Sequence, residues 1–284
     1  MSEEKSCQGC TKSDCGDCKG DKKSSFQEEM NVFSNIKHVI AVMSGKGGVG
    51  KSTVTAALAV ELTKKGHKVG ILDADITGPS IPRMFGISGP ADSTEQGILP
   101  TLTESGIRVM SINLLMENEE EPVIWRGPVI ANMVKQFWTD ILWGELDFLL
   151  VDMPPGTGDV PLTVFQSLPI NGTILVSSPQ DLVKMIVKKA YHMAEKMDIP
   201  IMGIIENYSY FVCPDCGKKY AIFGESKVDT AALEMGIPVL GKLPVNPESA
   251  HLADAGKFED AGHPQLIQAV EVLEKLVNER SANA

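Results

Sequence analysis

One segment, residues 45–53 reading GKGGVGKST, constrains this chain more than any other. It fits the pattern G-x-x-x-x-G-K-[ST] through Gly45, Gly50, Lys51 and Ser52. An apolar run at 38–43 precedes it and helix-forming sequence at 50–65 follows. Strand, glycine loop and helix in that order form the setting in which the motif binds phosphate. The glycines let the chain curl so that backbone N–H groups along Gly45, Lys46, Gly47, Gly48, Val49, Gly50, Lys51, Ser52 and Thr53 converge on the phosphates of ATP. The helix N-terminus adds its positive dipole end. Lys51 is expected to reach the β- and γ-phosphates, and the Ser52 hydroxyl to bind Mg²⁺. A glycine-rich turn without function is the plain alternative, and it leaves the agreement of strand, loop and helix unexplained.

The rest of the chain sets the fold around that loop. Short aliphatic runs at 38–43, 68–72, 107–112, 148–151, 173–176, 201–205 and 239–243 predict strands. Several are almost continuously apolar, as strands are when helices cover both sheet faces. Helix-length segments at 50–65, 129–143, 159–166, 182–197, 227–235 and 264–278 separate them. This alternation predicts right-handed crossovers and an α/β fold: a doubly wound, mainly parallel sheet over residues 36–284, a P-loop NTPase domain. Two further strand ends face the same crevice. The 148–151 run ends in Asp152, a carboxylate suited to holding the Mg²⁺ shell, and the 68–72 run ends in Asp73-Ala74-Asp75. Asp75 is the candidate for orienting the attacking water, so Lys51 and Asp75 form the expected catalytic set. A strand-end Asp is otherwise a helix cap.

Charge narrows the partners. With 37 acidic residues against 26 Lys and Arg, the formal net charge is −11. That balance opposes nonspecific binding to nucleic acid or to an anionic membrane, and neither is an expected partner. Apolar residues in the last segment (Leu266, Ile267, Val270, Leu273, Val277) recur at helical spacing, but Glu271, Glu274 and Glu279 outnumber Lys275 and Arg280. Packing on the sheet therefore explains the stripe better than a lipid surface does. No stretch reads as a signal peptide or a membrane span, so the expected location is the cytoplasm.

All six cysteines fall in C-x2-C pairs: Cys7/Cys10, Cys15/Cys18 and Cys213/Cys216. In a reducing compartment such pairs point to metal before structural disulfides. Residues 1–35 are polar, hold four of the six, and are expected to be a flexible extension unless metal organises them. Cys213 and Cys216 stand in a loop at 207–226. Two thiolates are half of a four-ligand site, which a two-fold dimer would complete. From the loop alone, iron–sulfur and zinc fit equally well, because thiolates suit both.

The residues now carry a resemblance. Lys46 after the first glycine, in KGGVGKST, resembles the deviant P-loop of the MinD, ParA and nitrogenase-iron-protein group. Within it, DADITGPSIPRMFG (73–86), WRGP (125–128), DMPPGTGD (152–159) and CPDC (213–216) look like the Mrp/ApbC family of iron–sulfur cluster carriers. The resemblance spans about 36–282 and implies a dimer, homotypic or with a paralogue. Lys46 would act in trans on the partner's phosphates, Asp75 and 152–159 would be nucleotide switches, and Asn207 would recognise adenine. Residue type alone makes Asn207 a turn residue. Cys213 and Cys216 would share a labile 4Fe-4S cluster between subunits, passed to apo-proteins or exchanged with assembly scaffolds, with slow ATP hydrolysis. Some family members carry an N-terminal four-cysteine cluster, but their spacing differs from that of Cys7, Cys10, Cys15 and Cys18. For those four a cluster, zinc and no metal all stay open. Two other functions compete with the carrier: an electron-transfer ATPase resembling the nitrogenase iron protein, and a positioning ATPase of the MinD or ParA kind.

Overall fold

A computed structural model describes residues 28–75, 78–116, 127–180 and 183–282. The expectations for Cys7, Cys10, Cys15 and Cys18, and for the first half of the WRGP motif, lie outside the described residues. Among those described, the frame is a nine-stranded sheet. Its central strand, β1 (Asn35–Ser44), is an almost unbroken buried run that feeds the glycine loop. β1 pairs in parallel with β7 (Glu145–Asp152) on one side and β8 (Gly172–Ser177) on the other. Beyond β7 lie β2 (Val69–Asp73), then β6 (Arg108–Ser111), and the antiparallel β5 (Thr101–Leu102) closes that edge. Beyond β8 runs β9 (Ile201–Val212), which pairs with β11 (Val239–Val245) and, antiparallel, with β10 (Lys219–Tyr220). A separate small hairpin joins β3 (Ser93–Thr94) to β4 (Gly97–Ile98).

Helices cover both faces, each with its own core. One face buries α1 (Lys51–Lys64), α2 (Ile81–Met84) and α8 (Ile267–Ala282) through Val54, Leu58, Leu62, Ile81, Ala269 and Leu273. The other takes α3 (Gly127–Thr139), α4 (Asp159–Ser167), α5 (Val183–Lys196) and α6 (Val228–Met235), through Phe137, Trp138, Val164, Val187 and Val228. β1 shows why the sheet has two cores. Val39, Ala41 and Met43 point to one face and Ile40 and Val42 to the other, the period-two alternation of a strand. α7 (Pro247–Asp254) starts on an Asn246 side chain that accepts from the Glu248 and Ser249 N–H groups, with Pro247 preset in the first turn.

The doubly wound, mainly parallel sheet is therefore as expected, with three differences in detail. Helix α3 stops at Thr139, short of 143, because the chain must turn to bring Trp143 into the core, where its indole N–H donates to the Phe137 carbonyl 3.1 Å away. Strand β9 runs on well past 205, through Val212. Its polar stretch survives burial because Ser209 Oγ donates to Glu206 Oε2 at 2.6 Å and Asn207 is bonded on both sides. The last helix is preceded by a tight 3-10 turn, Pro264–Leu266; Leu266 of the turn and Val270 and Leu273 of the helix are buried against the sheet, as their spacing implied, whereas Ile267 of the same stripe is 55% exposed. Residues ahead of β1 also pack on the domain: Glu28 N–H donates to the Ser167 carbonyl, and the Trp138 indole donates to the Glu28 carbonyl. No helix among the described residues is long and apolar enough to cross a membrane.

Candidate functional site

The glycine loop turns out of β1 and into α1 with two glycines in the left-handed region, Gly48 at φ 80° and Gly50 at φ 75°. Gly50 has a second reason to lack a side chain. A Cβ there would lie 2.2 Å from Asn207 Nδ2 and 2.8 Å from Tyr208 Oη. The loop lines a cavity of about 260 Å³ together with Lys46, Lys51, Ser52, Thr53, Asp75, Ser80, Pro155 and Tyr208. The glycine-loop backbone, the lysine and the candidate water-orienting carboxylate are thus gathered in one hollow.

Beneath it sits a buried ionic cluster. Lys51 Nζ lies 2.8 Å from Asp152 Oδ2 and 3.9 Å from Asp75 Oδ2. Ser52 Oγ donates to the same Asp152 Oδ2 at 2.6 Å, and Thr55 Oγ1 donates to Oδ1 at 2.7 Å. Asp152 is fully buried, so these three donors are what make a carboxylate tolerable there. Thr55 was not singled out in the sequence. Its signal was its place one turn after Lys51, on the same helix face.

Asp73 was passed over in favour of Asp75, and the structure gives it a different task. It is fully buried and stands in register beside Asp152 on the neighbouring strand. Its oxygens accept from the backbone N–H of Asp75 (3.2 Å), Ser80 (3.1 Å) and Ile81 (3.2 Å). One carboxylate therefore fastens both ends of the loop that presents Asp75. Desolvation, followed by the nearby Asp152 charge, pushes its pKa up to about 8, against the opposing pull of Lys51 and its own N–H donors.

Lys46 lines the hollow but its charged end is engaged elsewhere. Its ammonium donates to the Gln180 side chain, on the loop after β8. Asn207 is buried beside the loop, donating to the Val49 carbonyl at 3.1 Å and accepting from Tyr208 N–H. It lines a second hollow of about 130 Å³ with Thr53, Tyr208, Pro244, Asn246 and His263. Thr53 and Tyr208 belong to both hollows, so the two adjoin.

Cys213 and Cys216 sit at the tip of the β9–β10 hairpin, both as free thiols, the first half-buried and the second exposed. The turn is closed by Cys213 N–H to the Lys218 carbonyl (3.0 Å) and Gly217 N–H to the Cys213 carbonyl (2.9 Å), with Gly217 at φ 68°. Backbone N–H groups of Cys216 and Asp215, then the Cys216 side chain, hold the Cys213 thiol below its ordinary pKa. Such donors favour the thiolate, the form that binds metal. Among the described residues no three or more His, Cys, Asp or Glu side chains are gathered to hold a metal ion.

Comparison with known proteins bears on these sites. The family model of the NUBPL iron-transfer P-loop NTPases (ParA) matches residues 35–279. An iron-sulfur cluster carrier protein of Clostridium perfringens is 50% identical over 236 residues, covering 80% of this chain and 83% of the relative. A nucleotide-binding protein of Archaeoglobus fulgidus, solved with ADP, aligns with TM-score 0.73 and 46% identity over 81% of this chain and 90% of that one. The cell division ATPase MinD of Pyrococcus furiosus shares the fold, at TM-score 0.61 and 21% identity, over 84% of this chain and 99% of that one. With the model matched along nearly the whole described chain and half of the aligned residues shared with a carrier, this chain belongs to the NUBPL-type iron-transfer P-loop NTPase family.

Proposed function

We propose that this protein is a slow ATPase that receives a labile 4Fe-4S cluster between two subunits and hands it to apo-proteins. The observation that carries the reading is the isolated thiol pair at the hairpin tip, on the same strand that lines the nucleotide hollows. Cys213 and Cys216 supply two sulfur donors where a cubane cargo needs four, and a second subunit supplies the others. Val212, Tyr220 and Ile222 are exposed apolar groups beside the thiols, surface that pairing would bury. The partner copy is this chain or a paralogue. The carrier name of the relative from Clostridium perfringens supports release of the cargo over its retention for electron transfer.

The nucleotide chemistry follows from the cluster under the loop. Ser52 Oγ and Asp152 Oδ2 are paired hard oxygens of the kind Mg²⁺ takes, so the residues fit the ion. When bound, Mg²⁺ neutralises phosphate charge. Lys51 exchanges Asp152 for the β- and γ-phosphates, and the loop N–H groups from Gly45 to Thr53 cradle them. Asp75 orients the attacking water, held in place by Asp73. Lys46 leaves Gln180 and reaches the partner's phosphates. The adjoining hollow, with Asn207 in its wall, takes adenine. Positioning dominates such phosphoryl transfer, and with no stronger base than Asp75 in the hollow the turnover is slow.

Anaerobic reconstitution with iron and sulfide tests the reading. The wild type should gain a cluster shared by two subunits at this site and move as a dimer. A Cys213→Ala/Cys216→Ala variant should lose that share of iron and of visible absorbance, and the loaded wild type should activate an apo iron–sulfur enzyme. Equal iron in wild type and variant, or a monomer that keeps metal on this hairpin, would overturn it. The four N-terminal cysteines are a further proposed metal site, and their iron should survive in the variant.

A further inference from the structure

Tyr208 is placed as no ordinary strand residue is. It lies in β9 with φ 58°, a left-handed backbone that a bulky side chain adopts only at a cost, and only where its surroundings hold it there. Two sets of contacts do so. On one side its hydroxyl abuts Gly50, where the loop enters α1, and its ring forms part of the wall of both hollows. On the other side its ring meets that of Phe223, centroids 6.3 Å apart and tilted by 56°. Phe223 follows β10, on the return path of the cysteine hairpin, and is 45% exposed.

The geometry points to Tyr208 as a positioning residue that transmits nucleotide occupancy to the cysteine turn within one subunit. The inference rests on the nucleotide-binding reading above and adds a route to it. The chain leaves Tyr208 along β9, turns at Cys213 and Cys216, and returns to Tyr208 at Phe223. The turn is stiffened by its own backbone bonds, so it moves as a unit with these two anchors. A nucleotide in the phosphate hollow fixes the Tyr208 ring, the ring fixes Phe223, and the turn is held. With the hollow unfilled, the ring and the turn are looser. This path needs neither a second subunit nor the loop that carries Asp75.

The full-length protein tests it through the alkylation rates of Cys213 and Cys216. These are followed by peptide mass spectrometry with and without saturating Mg-ADP, while light scattering confirms an unchanged mass. In the wild type Mg-ADP should slow alkylation about fivefold or more, the low end of coupling between two sites. Phe223→Ala, which lies outside both hollows, should bind Mg-ADP yet keep less than about twofold slowing; Tyr208→Ala, which opens their shared wall, should lose the slowing as well, and Tyr208→Phe, which retains the ring, should restore the response. Phe223 is half-exposed, so its truncation leaves a folded protein even where Tyr208→Ala does not. Full slowing in Phe223→Ala, or none in a wild type that binds Mg-ADP, would overturn the inference and leave the carrier reading standing. A wild type that binds no Mg-ADP would instead remove the nucleotide reading, and the inference with it.

Discussion

Asp152 accepts from Lys51, Ser52 and Thr55, all in the opening turns of α1, so the groups proposed to meet phosphate are ordered by a carboxylate on the next strand. Lys51→Ala removes the only one of these with a charge, and ATP turnover, measured by phosphate release, should fall about 10²-fold or more, the scale of losing one preorganised donor at a developing charge. Unaltered turnover would take Lys51 out of the mechanism. A second residue-scale expectation concerns His263, stacked on Phe258 at 5.2 Å. Burial, the main cause, holds its imidazole below the ordinary 6.5; Lys64 adds to this and Glu61 opposes it. The unfolded chain thus binds that proton more readily than the folded one. The stability it contributes is full above pH 6.5 and is lost as the pH falls through the lower folded value. The thermal midpoint of His263→Phe should therefore vary less than that of wild type between about pH 5 and 7; equal slopes would rule His263 out. At this scale the sequence was partly legible. Spacing identified Lys51, Ser52 and Asp152, but three residues in DAD offer two carboxylates, and only the register beside Asp152 shows that Asp73 is the buried one.

Elements follow from periodicity where burial is one-sided or complete. The seven strongest apolar runs are strands because helices cover the sheet on both faces. The short pieces escaped for the opposite reason: β3, β4, β5 and β10 are two residues each, too short to show a period. The far half of β9 escaped because Glu206, Asn207 and Ser209 read as a loop until the Ser209–Glu206 bond and the bonds of Asn207 to Val49 and Tyr208 are seen. Helix α7 was not among the expected helices, although Asn246-Pro247, a cap followed by a first-turn proline, carried its signal. Helix α8 carries a prediction at this scale. Leu273 is fully buried against α1's face of the sheet, so Leu273→Ala should cost about 2–5 kcal/mol in denaturant titration. A cost near zero, together with ATP-dependent sedimentation of the protein with anionic liposomes, would mean that the helix's apolar face serves a membrane.

For the whole molecule, the arrangement of Lys46 matters most. Its ammonium is docked on Gln180 of its own subunit, while its proposed work is done on the phosphates of the partner. Docking at home competes with reaching abroad. Gln180→Ala should therefore raise ATP turnover at low protein concentration by about twofold to tenfold, the net worth of one ordinary hydrogen bond. Turnover that is unchanged at every concentration would show that the contact holds nothing back. This level of organisation was the least legible in the sequence, because a lysine beside a glycine carries no mark of which subunit it serves.

The hairpin tip has a practical side as well. Two sulfurs in mutual contact, one of them open to solvent, are as available to dissolved oxygen as to iron. If each gives up its hydrogen to oxygen, forming water, the two sulfurs join to each other, and a turn closed in that way has no thiolate left to offer a cargo. Air would leave both cores and the sheet intact while removing the thiolates that the proposed cargo needs, so a well-folded aerobic sample and a competent one are different things.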